Sequence, residues 1–439
     1  MNIVLLSGGS GKRLWPLSND IRSKQFIKIF KKENDEYESM VQRVYHQIQE
    51  VDKDATVTIA TSKTQVSAIR NQLGDQVGVC VEPCRRDTFP AIALATAYLH
   101  DVQGISEEDS VVVCPVDPYV NTDYFEALKE LGRLAQEGDA NLVLMGIEPT
   151  YPSEKYGYII PTDKEQVSKV DTFKEKPDAK TAEEYISQGA LWNGGVFAYK
   201  LKYVLEKAHE LIDFVGYQDL FDKYDTLTKI SFDYAVVEKE DNIQVLRFGG
   251  EWKDLGTWNT LTEAMSENTI GKVMYNDKCE DIHVINELDV PVLCMGVKDV
   301  IVCASAEGIL VSDKEQSAAI KPYVDQINQQ IMFAEKSWGS FQVMDVENGN
   351  MTIKVTLNPG NAMNYHSHEM REEVWTVLSG KGYVILDGEK KAVQTGDVVT
   401  MPIGCKHTIV AETELKVMEV QIGEEISVHD KIKWELSNN

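Results

Sequence analysis

The chain has 439 residues, which is too long for one ordinary domain and predicts two or three. Hydrophobic residues make up 43% of it, which is enough to build sizeable cores. The net charge of −26 argues against a nucleic-acid-binding protein or one that sits on an anionic membrane, because both need a basic surface. A small phosphate ligand remains compatible with this charge, since a few local cations are sufficient to bind it.

The seven cysteines are scattered and form no CxxC pair; they stand at positions 80, 84, 114, 279, 294, 303 and 405. An odd, dispersed set in a chain of this length is typical of reduced thiols in the cytoplasm. The apolar start ends in glycines after about five residues, which is too short for a signal peptide. The sequence also lacks an apolar run long enough to predict a membrane-spanning helix.

In residues 1–265, apolar strand-like segments alternate with helix-like ones. Strands are predicted at 2–6, 55–60, 110–116 and 140–145, and helices at 64–74, 88–100 and 124–137. This alternation is typical of an α/β domain that has a mainly parallel sheet covered by helices on both faces. Ligands of such sheets bind beyond the carboxyl ends of the strands.

After residue 265 the pattern becomes rich in short β-strands. Residues 266–330 predict a small β-rich linker domain with a helical piece near 314–330. Residues 331–439 carry turn sequences at 358–360, 379–382, 387–389 and 395–397, which favour a small antiparallel barrel or jelly roll.

A glycine-rich, basic loop follows the first strand and reads Ser7-Gly8-Gly9-Ser10-Gly11-Lys12-Arg13. Glycines let backbone N–H groups approach an anion, and the two cations add charge that suits a polyphosphate. The loop does not match the P-loop pattern, and in isolation a simple tight turn explains it as well. Asp117 follows a buried strand, where a carboxylate is costly unless it is paired or bound to a metal. A turn aspartate at the end of the strand is the alternative.

The loop and the later motifs resemble those of the sugar-1-phosphate nucleotidyltransferases, and most closely the mannose-1-phosphate guanylyltransferases. The motifs occur in family order along the chain: GGSGKRLWPLS, KQF, EPCRRDTFPAIALA, VVCPVDPYV, GYI, FKEKPD, LWNGGVF, FDYAVVEK and WKDLGTW. The resemblance implies a Rossmann-like nucleotidyltransferase domain with a mixed, mainly parallel sheet. The C-terminal part resembles the cupin barrel of longer bifunctional members that also isomerise mannose 6-phosphate.

The implied reaction is Mg²⁺-dependent and joins GTP and mannose 1-phosphate to give GDP-mannose and pyrophosphate. The implied catalytic residues are Arg13, Lys24, Asp117 and Asp254, of which Asp117 and Asp254 would bind Mg²⁺. The implied nucleotide-binding set is Ser7, Gly8, Gly9, Gly11, Lys12, Arg13, Lys24, Glu82, Arg86 and Thr88. The implied sugar-phosphate set is Gly157, Glu175, Lys176 and Asn193. Without the motifs, Lys176 would be read as a solvated surface residue and Asp254 as a helix N-cap or turn residue.

The chain departs from the family pattern near the substrate segments. Pro118 stands where the family has histidine after the metal aspartate, Asp87 replaces asparagine, and Phe89 replaces alanine. Another hexose or a heptose 1-phosphate is therefore an alternative to mannose 1-phosphate. A non-catalytic sugar-nucleotide sensor is a further alternative, but a sensor would not need both metal carboxylates and both phosphate-facing lysines.

In the C-terminal part, His366, His368, Glu373 and His407 are spaced as a cupin metal site. Three imidazoles and one carboxylate suit Zn, Fe, Mn, Co or Ni, and the sequence does not choose among them. A vestigial, metal-free barrel is the alternative. The family's isomerases carry glutamine at position 366 and further arginines near the end of the chain. This chain has His366 and lacks those arginines, and isomerase activity is therefore the second functional hypothesis. The oligomeric state stays open, a homodimer included.

Overall fold

The computed structural model describes residues 1–8, 11–328, 330–424, 426 and 430–435. The strands of the first part are β1 (Asn2–Ser7), β2 (Lys28–Lys31), β3 (Tyr37–Ser39), β4 (Thr56–Ser62), β5 (Gly78–Glu82), β6 (Ser110–Pro115), β7 (Pro118–Val120), β8 (Leu142–Ile147), β9 (Tyr158–Pro161), β10 (Val167–Lys174), β11 (Leu191–Lys200), β12 (Ile243–Phe248) and β13 (Trp252–Asp254). Its helices are α1 (Met40–Val51), α2 (Val66–Leu73), α3 (Thr88–Asp101), α4 (Thr122–Glu137), α5 (Ala179–Ser187), α6 (Leu201–Leu211), α7 (Tyr217–Asp222), α8 (Phe232–Ala235) and α9 (Trp258–Glu263). Among the described residues, no helix combines the length and the apolar character that crossing a membrane requires.

The centre of the first part is a mixed sheet with the strand order β5-β4-β1-β6-β11-β8-β12-β10-β9. β5, β4, β1 and β6 are mutually parallel, whereas β11 runs antiparallel to β6 and β8. Strand β8 is fully buried, and β1 and β6 are nearly so, which agrees with their continuous apolar sequences, since helices cover both faces. The predicted α/β class and mixed sheet are confirmed. In this sheet, parallel pairing is limited to the four neighbouring strands β5, β4, β1 and β6 and to the β8–β12 pair. β10 pairs antiparallel with both β9 and β12.

A two-stranded ribbon stands beside the carboxyl end of β6. β7 pairs antiparallel with β13, so that Pro118 lies opposite Asp254. Asp117 directly precedes β7, and the register therefore brings Asp117 and Asp254 together although they are far apart in the sequence.

The linker consists of short strands whose pairing is mostly parallel. Its elements are β14 (Thr269–Ile270), β15 (Val273–Tyr275), β16 (His283–Asn286), β17 (Val292–Cys294), β18 (Val300–Ser305), β19 (Gly308–Asp313) and α10 (Lys321–Val324). β14, β16 and β18 form one parallel ladder, and β15 and β17 form another.

The linker contacts the segment that follows the glycine-rich loop. The hydroxyl of Ser305 donates to the carbonyl of Pro16 over 2.6 Å, and Asn19 donates to the Glu307 carboxylate over 2.8 Å. The buried Arg22 forms a 2.8 Å ion pair with Glu287. These contacts fix the loop-bearing segment against the linker.

The C-terminal part is a barrel made of two antiparallel sheets. Its strands are β20 (Phe333–Lys336), β21 (Gly339–Glu347), β22 (Asn350–Leu357), β23 (His366–Ser367), β24 (Arg371–Ser379), β25 (Lys381–Leu386), β26 (Glu389–Gln394), β27 (Val398–Met401), β28 (His407–Ala411), β29 (Leu415–Gly423) and β30 (Ile432–Lys433). The sheet orders are β20-β21-β22-β29-β24-β27 and β26-β25-β28-β23-β30. Apolar side chains that alternate along β22, β24 and β29 fill the space between the sheets, as in a jelly roll. The predicted cupin-type barrel is confirmed.

Candidate functional site

A cavity of about 630 Å³ opens at the carboxyl ends of β1 and β6. Most of the predicted site residues line it: Ser7, Gly8, Glu82, Thr88, Asp117, Gly157, Glu175, Lys176, Asn193 and Asp254. They come from strand ends, loops and one helix start that are far apart in the sequence. This convergence is the pattern expected of a ligand site in an open α/β sheet.

Lys24 lies between the two carboxylates predicted to bind metal. Its Nζ is 2.8 Å from Asp117 Oδ2 and 3.7 Å from Asp254 Oδ1. Both aspartates are partly exposed, at 37% and 47% of the side chain, so they are open to a ligand. The Lys24 ammonium group therefore lies where the negative charges of Asp117 and Asp254 favour a cation. Two carboxylates on the wall of an open cavity are a donor set that fits Mg²⁺.

The basic part of the glycine-rich loop is directed elsewhere. Lys12 forms a 3.0 Å ion pair with Asp325 of the linker, and Arg13 is exposed. Gly11 begins a single 3-10 turn that ends at Leu14. Neither Lys12 nor Arg13 is among the described residues that line the cavity, and Gly9 lies outside the described residues. Their nucleotide-binding role stays a prediction.

A buried glutamine that the sequence analysis missed holds the base of the loop. Gln65 Oε1 accepts hydrogen bonds from Ser7, Gln25 and Thr61, at 3.1, 3.2 and 2.9 Å. Its Nε2 donates to Ser23 over 2.7 Å. This network links the ends of β1 and β4 to the turn that carries Lys24. A single sequence contains no signal for it, because Gln65 lies outside every motif.

The start of α3 forms one wall of the cavity. Asp87 caps the helix with φ of 72°, a conformation that aspartate tolerates better than most residues, and accepts from the Thr88 N–H over 2.8 Å. Arg86 donates to the backbone carbonyls of Tyr224 and Asp225, whereas its neighbour Arg85 lines the cavity.

Two residues that depart from the family pattern, Phe89 and Pro118, lie in different surroundings. Phe89 is 3% exposed and belongs to the hydrophobic core, so its ring is not part of the cavity wall. Pro118 does line the cavity.

Glu82 accepts from the Tyr224 hydroxyl over 2.9 Å, and burial raises its pKa.

The predicted sugar side of the cavity combines acidic and amide groups. Glu175 is almost fully buried and pairs with the ammonium of Lys176. The Asn193 side-chain amide donates to Asp233 over 2.7 Å. Asp233 was not predicted as a site residue, although it stands inside the FDYAVVEK motif. Burial, and then the nearby Glu175, raise its pKa to about 6.

Gly157 is expected to leave the space that Glu175 occupies on the predicted sugar side of the cavity. A Cβ atom at this position would lie 2.5 Å from Glu175 Oε2 and 3.0 Å from the Phe173 ring. Gly157→Ala should therefore displace Glu175 and raise the KM for the sugar phosphate by about tenfold or more, and the KM for the nucleotide should change little. Steady-state kinetics measure both values. Gly249→Ala, at an exposed position outside the cavity where only the Glu148 carboxylate is close, serves as the control. An unchanged KM for the sugar phosphate would contradict this role.

The second cluster lies inside the C-terminal barrel. The ligand atoms of His366, His368, Glu373 and His407 are all within 4.8 Å of one another, and all four residues are buried. Each histidine places Nδ1 against a backbone carbonyl: His366 on Asn364 at 2.6 Å, His407 on Cys405 at 3.0 Å, and His368 on Asp430. With Nδ1 held by a backbone carbonyl, Nε2 is the ring atom available to a metal, which is the usual arrangement. His368 Nε2 lies 3.0 Å from Glu373 Oε1 and 3.2 Å from Arg371 Nη2.

The charges in the barrel also fit a metal. Burial alone would raise the pKa of Glu373, but the neighbouring His368 and His407 rings outweigh it and hold the pKa well below its usual value. Burial lowers the pKa of His366 to about 3, which keeps the ring neutral and able to bind metal. His407 Nε2 lies 3.3 Å from Glu373 Oε2 but makes no well-oriented hydrogen bond within the described part of the chain. The Arg371 guanidinium, 3.1 Å from Glu373 Oε1, supplies positive charge at the edge of the cluster.

Comparison with known proteins agrees with both parts of the fold. The model of the nucleotidyl transferase family matches residues 2–270, and that of the cupin domain matches residues 353–421. Mannose-1-phosphate guanylyltransferase of Escherichia coli is 28% identical over 473 residues, which cover 98% of each chain. The xanthan biosynthesis protein XanB of Xanthomonas campestris pv. campestris (strain B100) is 26% identical, with 98% of this chain and 97% of XanB covered.

Among solved structures, the chain resembles a Thermus thermophilus protein described as mannose-1-phosphate geranyltransferase. The TM-score is 0.61 at 27% identity, and the match covers 74% of this chain and 98% of the other. The family match extends over more than half of the sequence and contains every residue that lines the cavity. The chain therefore belongs to the nucleotidyl transferase family: it is a nucleotidyltransferase that carries a cupin domain in its C-terminal part.

Proposed function

We propose that this enzyme transfers the guanylyl group of GTP to mannose 1-phosphate and so forms GDP-mannose and pyrophosphate. The observation that carries the proposal is the placement of Asp117 and Asp254 around Lys24, with both carboxylates on the wall of one cavity. Gly8 and Thr88 line the same cavity and would bind the nucleotide, and Gly157 and Glu175, which also line it, would bind the sugar. The relatives named mannose-1-phosphate guanylyltransferase, which match along nearly their whole length, support the choice of substrates.

In this reaction an oxygen of the sugar phosphate forms a bond to the α-phosphorus of GTP. The bond from the α-phosphorus to the bridging oxygen breaks, and pyrophosphate leaves with that electron pair. The protein needs no nucleophile of its own, and it must position anions and neutralise their charge. Asp117 and Asp254 would hold Mg²⁺, which supplies charge neutralisation at the phosphates when bound.

The remaining groups orient the two anions. Lys176, a largely exposed lysine on the cavity wall, would attract the sugar phosphate, and Lys24 would approach the nucleotide phosphates. Ser7, through the Gln65 network, fixes the start of the glycine-rich loop. Arg13 and Lys12 would reach the triphosphate, and Lys12 would have to exchange its contact with Asp325 for this.

A second candidate function concerns the cupin domain. The four buried ligand atoms within 4.8 Å of one another favour a bound transition metal there. A metal can polarise neighbouring oxygens and so assist proton transfer between C1 and C2 of a sugar phosphate. We propose mannose 6-phosphate isomerisation as the activity to be tested at this site. We also propose a cytoplasmic enzyme, on the basis of its scattered cysteines.

The test is pyrophosphate release with Mg²⁺ for each of the four ribonucleoside triphosphates against mannose, glucose, fucose and heptose 1-phosphates. Selective turnover of GTP with mannose 1-phosphate is the expected result. Turnover of another pair would keep nucleotidyl transfer and replace the substrate. A parallel assay for fructose 6-phosphate formed from mannose 6-phosphate tests the cupin, and its absence from metal-loaded protein would rule out isomerisation.

A further inference from the structure

The C-terminal segment 430–434 follows the last long strand of the barrel and lies against the strand that begins the metal cluster. Its strand β30 pairs antiparallel with β23, which carries His366. The Trp434 indole donates to the Ser367 hydroxyl over 2.9 Å, and the Trp434 N–H donates to the Tyr365 carbonyl over 2.9 Å. The segment is therefore joined to β23 through both its backbone and a side chain.

The three histidines of the cluster differ in what holds their rings. His366 and His407 each place Nδ1 against the carbonyl of the residue two positions earlier in the chain. His368 instead places Nδ1 against the carbonyl of Asp430, 62 residues away. Two of the rings are thus oriented by their own strands, whereas the third depends on the C-terminal segment.

The Asp430 carbonyl also determines which nitrogen of His368 is available to a metal. A carbonyl oxygen only accepts, so the contact places a proton on Nδ1 and leaves the lone pair of the neutral ring on Nε2. His368 Nε2 is the atom directed toward the cluster, 3.0 Å from Glu373 Oε1. Without this contact the ring could rotate or change its protonated nitrogen, and either change would weaken it as a ligand.

The Asp430 side chain fixes the position of its own carbonyl. Its carboxylate accepts from the Glu369 N–H at 2.8 Å and from the Met370 N–H at 3.1 Å. The side chain is only 7% exposed, so these bonds are largely sheltered from water. His368 therefore contacts the backbone of Asp430, while the two residues after His368 bind its side chain. The two segments hold each other in one arrangement.

Asp430 also supplies negative charge next to the one guanidinium described at the cluster. Arg371 Nη2 lies 3.2 Å from His368 Nε2, and Arg371 Nη1 lies 3.9 Å from Asp430 Oδ2. A guanidinium close to Nε2 repels a metal ion, and an adjacent carboxylate reduces this repulsion. The position of Asp430 thus favours a metal at His368 through charge as well as through orientation.

We propose that Asp430 is a positioning residue of the cupin metal centre, which orients His368 from the C-terminal segment. Retention of the metal then depends on the docking of residues 430–434 against β23. The inference rests on the proposed metal site, and it goes beyond the four ligands because it names the residue that holds one of them in place.

The test measures the release of Co²⁺ from the full-length protein into an excess of chelator. Co²⁺ is a suitable probe because its absorption spectrum depends on the number and arrangement of its ligands. Asp430→Ala should release Co²⁺ about ten- to a hundredfold faster than wild type, with an altered spectrum, which is the usual cost of losing an outer partner of a metal ligand. Asp430→Asn keeps one acceptor oxygen and should release Co²⁺ at an intermediate rate.

Asp397→Ala is the matched control. The Asp397 carboxylate accepts from the Gln394 N–H over 2.8 Å in a turn of the same barrel, and none of its described contacts reaches the cluster. Its substitution removes a carboxylate from a turn and should leave the release of Co²⁺ unchanged. Equal acceleration in Asp397→Ala and Asp430→Ala would overturn the proposal, and so would unchanged release from Asp430→Ala.

Two further measurements separate positioning from a structural role. Metal-free Asp430→Asn should have a Tm close to that of metal-free wild type, whereas its gain in Tm on addition of Co²⁺ should be smaller. In a His368→Gln background, Asp430→Asn should no longer accelerate release, because the ring that Asp430 orients is absent. The same acceleration with and without His368 would assign Asp430 to the fold and overturn the proposal. If Asp430→Ala does not fold, the Asp430→Asn results decide the question.

The outcome also differs from a failure of the proposed functions. If Asp430 affects release as expected but mannose 6-phosphate is not isomerised, the proposed activity is wrong and the role of Asp430 stands. If wild type retains Co²⁺ and Asp430→Ala retains it equally well, only this inference fails. If wild type itself does not retain Co²⁺, the metal site and this inference fail together.

Discussion

Replacement of Asp117 by asparagine should lower the rate of nucleotidyl transfer by roughly a thousandfold, on the scale of losing one group that stabilises charge in the transition state. Asp117 is the carboxylate nearest Lys24 and the one that follows the central strand β6, so it is the group best placed to hold a cation at the cavity wall. An asparagine side chain keeps the size of the aspartate and one oxygen ligand, but it loses the charge that Mg²⁺ requires. Pyrophosphate release under saturating substrates measures the effect, and Asp254→Asn should give a similar loss.

Glu251→Gln provides the control for this experiment. Glu251 lies immediately before β13, pairs with Lys253 over 2.9 Å, and is not among the residues that line the cavity. The control substitution therefore removes the same charge from the same ribbon and should retain nearly full activity. The folding of Asp117→Asn should be intact, since Lys24 keeps Asp254 as a partner. An active Asp117→Asn enzyme would remove the proposed metal-binding role.

The second large effect is expected in the cupin domain. Wild-type protein supplied with Zn, Mn, Fe, Co or Ni should retain close to one metal ion per chain after dialysis, and Glu373→Gln should retain less than about a tenth of that. Glu373 is the only carboxylate among the four described ligands, so Glu373→Gln removes the one negative charge of the set. Elemental analysis of dialysed protein gives the ratio directly. Removal of the metal by a chelator should also lower the Tm, because the binding free energy contributes to stability.

Glu372→Gln is the matched control for Glu373. The neighbouring residue is on the same strand, β24, but its side chain is exposed on the other face. Its substitution should leave metal content and Tm unchanged. Nucleotidyl transfer should be unaffected in both variants, because the lining residues described for the cavity all precede the linker. Equal metal retention by wild type and Glu373→Gln would refute the four-ligand site.

The sequence predicted those parts of the site that depend on motifs at strand ends. Asp117 follows a run of buried valines, and His366, His368 and His407 have the spacing of a cupin, so strand pairing alone brings them to their sites. The mixed character of the sheet came from the resemblance and not from periodicity. β11 has the same apolar pattern as a parallel strand, and only its pairing with β6 and β8 reveals that it is antiparallel.

The residues that were missed are those whose role depends on side-chain direction. Arg85 and Arg86 are adjacent and chemically equal, yet the turn before α3 directs Arg86 to backbone carbonyls and leaves Arg85 on the cavity wall. Gln65 and Asp233 acquire their roles from partners far away in the sequence. Periodicity and local spacing carry no information about such contacts.

The contacts between the linker and the glycine-rich segment have a consequence for synthesis on the ribosome. The cavity residues up to Asp254 emerge first, and the indole of Trp258, in α9, can then donate to the Trp15 carbonyl, at 3.1 Å. The hydrogen bond that Ser305 donates, the one that Glu307 accepts from Asn19, and the ion pair of Asp325 become available only after the linker has been translated. The nascent chain can therefore assemble the two cavity carboxylates early, but it acquires late the linker contacts of Lys12, Pro16 and Asn19. Completion of the site thus follows the order of translation, with the linker as its last step.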